Sequence, residues 1–223
     1  MKRYVFALVL GLVGCAILIS LGVWQLQRMN VKLAAIAEID SRISSPPVPV
    51  PLAPDAKRDK YLAVQASGLL QDQALRIYTS RTNEGAGYRI IQVFETDGRR
   101  LMVDRGFLPI EADSDVAGPV AVDITGNLHW PDETSSWTPA PDIGRNRWFA
   151  RDVATMAAAL GTEPVLIIAR TLNPDTFTAR PIPVSSADVP NNHLEYVITW
   201  FSLALVWAGM TVYLLWRIKR RTA

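Results

Sequence analysis

Two apolar runs, Val5–Trp24 and Val197–Trp216, contain no charged side chain, and each is about the 20 residues needed to cross the hydrocarbon core of a bilayer. A segment of that kind can satisfy its backbone in lipid only as a helix. One such run near each end of the chain predicts a membrane-anchored α+β protein: two transmembrane helices forming a hairpin, flanking one mostly β extracytoplasmic domain.

Short basic flanks stand at both outer ends, Lys2 and Arg3 before the first run and Arg217, Lys219, Arg220 and Arg221 after the second. Positive charge is retained on the cytoplasmic side, so both termini are expected in the cytoplasm and the central segment outside it. Trp24 at one membrane edge, with Tyr196 and Trp200 at the matching edge of the other helix, fits an interfacial aromatic belt. The expected divisions are residues 1–28 (first span with its tail), 29–60 (helical and Pro-rich connector), 61–191 (β-rich domain), 192–216 (second span) and 217–223 (basic tail).

The formal charge of +2 hides an asymmetry: from Tyr4 to Trp216 there are 17 basic and 21 acidic residues, a net of −4. With no basic surface interleaved with aromatics, nucleic acid is not an expected partner, whereas the lipid bilayer is. The one cysteine, Cys15, lies inside the first apolar run, so the outer domain must be held by an ordinary core rather than by disulfides. Leu12-Val13-Gly14-Cys15 resembles a lipoprotein cleavage box. The hydrophobicity that continues through Leu21 favours a permanent anchor instead. Only Met1, Lys2 and Arg3 precede the first run, without an Arg- and Ser-rich leader, so a bacterial inner membrane is expected rather than a mitochondrial one.

Between the runs, Val31–Asp40 continues a helical pattern and the five prolines of Ser44–Pro54 break it. Strands are expected at 61–70, 74–79, 88–95 and 100–108, the last two joined at Thr96-Asp97-Gly98-Arg99, because Asp-Gly supplies the backbone of a tight hairpin turn. A further strand is expected at 120–128, and extended structure at 165–169 and 177–183. One internal helix is expected from Asp152, as N-cap, to Leu160, with Gly161 as C-cap.

His193, one of two histidines in the chain, stands where the outer domain enters the second run. An imidazole at a lipid boundary is either an interfacial polar residue or a candidate axial ligand for a membrane-embedded haem. His193, Tyr196, Trp200, Leu203, Trp207, Met210 and Leu214 recur at alternating intervals of three and four, predicting one seam that faces the first helix or a partner. Asn192 and Glu195 have the spacing of a helix-capping pair, which accounts for both without a chemical role. On the first helix Trp24, Gln25 and Arg28 cluster at the depth of His193. Arg28 either snorkels to headgroups or pairs with a haem propionate, whose carboxylate matches a guanidinium at two points.

The outer segment offers little from which to build a catalytic centre, having no phosphate loop and a single histidine, so no enzyme is expected. His129, at the end of a predicted strand, reads as a surface or turn residue. Asp104-Arg105-Gly106 reads as an ion pair and bend closing a strand, and Trp148 with Phe149 as an aromatic pair of the core; the alternative for Arg105 and Trp148 is a docking surface for a partner.

Leu21-Gly22-Val23-Trp24-Gln25-Leu26-Gln27-Arg28, Gly87-Tyr88-Arg89, Val103-Asp104-Arg105-Gly106-Phe107-Leu108-Pro109 and Asn191-Asn192-His193-Leu194-Glu195-Tyr196 with Thr199-Trp200-Phe201 together resemble the Surfeit-locus protein one family of cytochrome oxidase assembly factors. The chain departs from the family's pattern at Val31 and Val197. The resemblance implies a haem a chaperone, not an enzyme: haem a is held as cargo by His193 as axial ligand, with Tyr196, Trp200, Trp24 and Arg28 orienting it. Oxidase subunit one is the implied recipient and haem a synthase a candidate donor. The competing expectation is a cofactor-free scaffold that stabilises an oxidase assembly intermediate.

Overall fold

The computed structural model describes residues 2–81, 84–112, 118–187 and 192–222. Of the residues singled out above, Met1 and Asn191 lie outside this set, as do the side chains of Arg3 and Arg221. The chain divides into two compact units, Met1–Glu38 with Ser186–Ala223, and Ile39–Ser185.

Helix α1 runs from Lys2 to Ser44 without a break, so the helical part of the expected connector is a direct continuation of the first apolar run. It ends where Pro46 and Pro47 follow, because proline lacks the backbone donor and disfavours helical geometry in the residue before it. The last carbonyls of a helix need outside donors. Here Asn127 Nδ2 donates to Ile43 O at 3.2 Å, and Arg170 also donates to that oxygen, tying the helix end to the β domain.

The β domain is built from β1 (Val48–Pro49), β2 (Ala63–Arg81), β3 (Gly85–Thr96), β4 (Arg99–Pro109), β5 (Val120–His129), β6 (Arg147–Trp148), helix α2 (Val153–Leu160) and β7 (Leu166–Asn173). Pairing runs β2-β3-β4-β7-β5 and returns to β2, closing a five-stranded barrel. All these contacts are antiparallel except β4–β7, while β1 and β6 add parallel stubs to β2. The expected strands 61–70 and 74–79 are one strand of 19 residues. Its register with β3 shifts between Leu70 and Ala74, and only the half before the shift pairs with β5. That long bent strand is what lets so few strands close. The β3–β4 turn has positive φ at both Asp97 (49°) and Gly98 (74°), the mirror-image turn that hairpin twist favours.

Strand side chains alternate between two apolar clusters. Leu101, Val103 and Ile167 fill the barrel, whereas Met102, Leu166 and Ile168 point out beneath α2 with Trp148 and Met156. Burial on both faces explains the continuous apolar runs of β4 and β7. Helix α2 begins as expected, the Asp152 carboxylate accepting from Thr155 N at 2.7 Å, and ends at Gly161 in the left-handed region. The expected extended segment 177–183 is not a strand; its backbone joins the barrel through a bridge, Phe107–Arg180, and Phe177 and Ala179 pack against buried barrel residues.

Helix α3 (His193–Thr222) follows. Over 4–44 and 193–220, α1 and α3 are long and apolar enough to cross a membrane.

Candidate functional site

The helices pair antiparallel through small residues of α1. Gly11 lies beneath Thr211, Gly14 beneath Trp207 and Gly22 beneath Phe201, each so close that an added methyl group would collide. Glycines of this kind let apolar helices approach where lipid supplies no hydrophobic driving force between them. Trp207 Nε1 donates to Gly11 O at 3.2 Å across the seam.

Steric selection by those glycines corrects the seam expected from large side chains. The covered face of α3 carries His193, Val197, Trp200, Ala204 and Thr211, whereas Tyr196, Leu203, Met210 and Leu214 are exposed. Trp207 reaches the seam from its flank. Trp200 is half-buried in this seam, and among the described residues its Nε1 has no hydrogen-bond partner.

At the open end of the pair, His193 begins α3 and is half-buried. Its Nδ1 lies 2.9 Å from Gln25 Oε1, and Gln25 is only 9% exposed. On the neighbouring faces, Trp24 is 48% and Tyr196 53% exposed, and the Arg28 guanidinium sits 5.6 Å from the Trp24 ring centre. The geometry thus joins His193 to Gln25 and Trp24 to Arg28. The sequence places Gln25, with Trp24 and Arg28, at the depth of His193 but does not single it out as the residue against the ring. The signal that finds it is its place in the α1 sequence of covered positions, Ala7, Gly11, Leu18, Gly22 and Gln25, spaced three, four or seven apart.

The segment 12–205, which begins inside the first helix, ends inside the second and contains the whole barrel, matches the sequence profile of the SURF1 family. The chain belongs to the SURF1 family. Among its relatives, Surfeit locus protein 1 of Homo sapiens is 30% identical over 212 residues, covering 83% of this chain and 69% of the human protein. The protein of the same name in Gallus gallus is 30% identical over 82% of this chain and 67% of its own length. A SURF1-like protein of Rickettsia felis is 28% identical over 92% of this chain and 94% of its own. The SURF1 match includes Trp24, Gln25, Arg28, His193, Tyr196 and Trp200.

Arg105 and Trp148 take the structural places expected of them rather than the alternative of a docking surface. Arg105 is fully buried with its guanidinium 4.3 Å from the Phe177 ring centre, and Trp148 is 6% exposed in the core under α2. Neither side chain presents a surface, because β4 is covered on both faces and β6 tucks Trp148 against β2. Beside Arg105, the fully buried Asp104 accepts from Arg89 Nε at 2.8 Å, from Arg151 Nη1 at 3.3 Å and from Gly106 N at 2.9 Å. Arg151 also clasps Glu133. Burial raises the Glu133 pKa, but the hydrogen bonds and charge of Arg151 outweigh it, and the carboxyl ends below its ordinary value. This is a closed network within the fold.

His129 is likewise not a surface residue. Its ring stacks on Tyr61 with centres 5.4 Å apart, and burial, helped by the positive charges of Lys60 and Arg151, lowers its pKa to about 4. It is a neutral structural ring at physiological pH. Among the described residues there is no group of three or more His, Cys, Asp or Glu side chains placed to hold a metal ion.

Proposed function

We propose that this SURF1-family chain is an assembly factor for haem-copper cytochrome oxidase, anchored in a bacterial inner membrane and carrying haem a for insertion into subunit one. The observation that carries this reading is His193: a half-buried imidazole at the first residue of α3, beside exposed Trp24 and Tyr196. Apolar side chains such as Ile198, Leu205 and Val212 face away from the helix pair, which suits lipid as the surrounding solvent. Both termini then lie in the cytoplasm and the barrel in the periplasm.

The residues present suit the cofactor. His193 offers one imidazole nitrogen to iron, Trp24 and Tyr196 offer apolar faces to a ring, and Arg28 offers a guanidinium to a propionate. Trp200, by contrast, acts from within the helix seam, holding α3 in place beneath His193. The protein makes and breaks no covalent bond in this role; haem a synthase is the proposed source of the cargo. Purification of the parent and His193→Ala from cells making haem a tests the reading. Loss of the Soret band in the variant supports it, and equal haem content in both rejects it.

One observation favours the alternative of a cofactor-free scaffold. Trp137 and Ile143, in the connection between β5 and β6, are 90% and 77% exposed, as apolar anchors for a protein partner would be. Pull-down of tagged oxidase subunit one separates the two. The scaffold predicts that Trp137→Ala weakens co-purification and His193→Ala does not, and haem carriage predicts the reverse for the pigment recovered.

A further inference from the structure

We infer that Gln25 is the positioning residue for His193: it accepts the imidazole's Nδ1 proton and so holds the ring in the tautomer whose Nε2 carries the lone pair. The tautomer follows from the helix pair alone; its consequence for iron rests on the haem reading above.

Among the described residues Gln25 is the only buried polar side chain of the two-helix unit. A carboxamide in that position costs free energy unless it is hydrogen-bonded, and the bond it makes is the 2.9 Å contact between its Oε1 and His193 Nδ1. An amide oxygen has no proton to give. The hydrogen on that line must therefore be the imidazole's, and a neutral ring protonated at Nδ1 is unprotonated at Nε2. Free histidine favours the opposite tautomer in water, so the contact reverses the ring's own preference. It does so where burial strengthens the bond.

The choice of acceptor also has a chemical consequence. Metal-binding histidines are often backed by a carboxylate, which pulls on the Nδ1 proton and makes Nε2 a stronger donor to the metal. A neutral amide fixes the same geometry with less of that electronic push. A ligand oriented but not strengthened suits cargo that has to be handed on.

With two histidines in the chain, ¹⁵N-labelling of histidine gives two ring systems in the full-length protein in detergent, and His193→Ala assigns them. In mildly alkaline solution, where the spectra show the neutral ring, the parent is expected to have His193 protonated at Nδ1. Gln25→Leu should move the proton to Nε2, and Gln25→Glu should keep it at Nδ1. Observation of the Nε2-protonated form in the parent, or an unchanged tautomer in Gln25→Leu, overturns the inference. If Gln25→Leu fails to fold, the parent and Gln25→Glu spectra still decide.

Titration with haem a carries the second arm. Gln25→Leu is expected to weaken binding roughly 10- to 100-fold, the usual consequence of losing such a partner. The iron–histidine stretching frequency of the ferrous complex should fall in Gln25→Leu and rise in Gln25→Glu. Should His193→Ala bind haem as the parent does, the haem reading fails while the tautomer result stands on its own. Should His193→Ala lose haem while Gln25→Leu alters neither affinity nor frequency, the role of Gln25 fails and the haem reading stands.

Discussion

Asp104 in the barrel and His193 in the helix pair both belong to short family-like motifs and both sit against a polar partner, but their bonding differs. Asp104 is fully buried, and its oxygens take hydrogen bonds from Arg89, Arg151 and Gly106. His193 is half-buried, and the contact with Gln25 occupies one of its two nitrogens. A polar group whose capacity is used up inside the fold specifies that fold. One with capacity left, at an accessible edge, is available to a ligand. The difference predicts that barrel substitutions act on stability and helix-pair substitutions on cofactor.

The sharpest attempt to break that contrast is Gly106→Ala. Gly106 has φ of 103°, and a Cβ there would lie 1.8 Å from Arg180 O, within the bridge that joins Phe107 to Arg180. Backbone strain and a collision with backbone combine, so a loss of more than about 4 kcal/mol is expected. Thermal melts and the yield of folded protein measure it; a near-parental melt would show that the motif is not structural.

Somewhat smaller effects are expected at Asp104 and Trp148. Asp104→Ala leaves Arg89 and Arg151 facing a buried site without their shared carboxylate, a loss of about 3–5 kcal/mol. Trp148→Ala opens a cavity beneath α2 at a similar cost, about 3–5 kcal/mol. In both, whatever fraction remains folded should bind haem a with the parent's spectrum. A changed Soret band at full stability would instead link the barrel directly to the cofactor.

The physical reach of each signal decided what was legible beforehand. Period-two alternation marks β5, the Asp97-Gly98 turn marks the β3–β4 hairpin, and Asp152 with Gly161 frames α2, because those signals are written in adjacent residues. Barrel closure was not legible: it depends on β2 bending between Leu70 and Ala74 to serve two partners, and the partner of a strand is not encoded beside it. The phase of the helix seam is not written in the aromatics of α3. The glycines of α1 decide it, by choosing which residues of α3 can come close. The structural reading of Arg105 and Trp148 holds, and the second covered face of the barrel removes the docking alternative. His193 was legible from position alone, while Gln25 required both helices in register.

His129 tests the barrel side of the contrast through pH. Its pKa is lowered from the ordinary 6.5 to about 4, chiefly by burial. Above pH 6.5 the ring is neutral whether the chain is folded or not, and the barrel keeps its full stability. As pH falls through that window the unfolded chain takes up a proton that the folded one refuses, so stability declines and levels off below about pH 4. The expected loss, allowing for the solvent that reaches the ring, is about 2–3 kcal/mol. His129→Phe should flatten melting temperature against pH between those limits. A variant curve parallel to the parent's would assign the decline to other groups.

The smallest stability effect should come from the residue with the largest proposed functional one. His193→Ala removes a single hydrogen bond and leaves the Gln25 amide at the open end of the helix pair, where solvent or headgroups can reach it once the ring is gone. A loss of about 1 kcal/mol is expected, within the range for one neutral hydrogen bond. The seam itself, built on Gly11, Gly14 and Gly22, is untouched. Melting of the detergent-solubilised variant, followed alongside its haem content, measures both quantities on one sample. If His193→Ala destabilises the chain as strongly as Asp104→Ala, the imidazole is part of the fold in the same sense as the carboxylate, and the distinction between closed and open polar groups fails at the position it was drawn to explain.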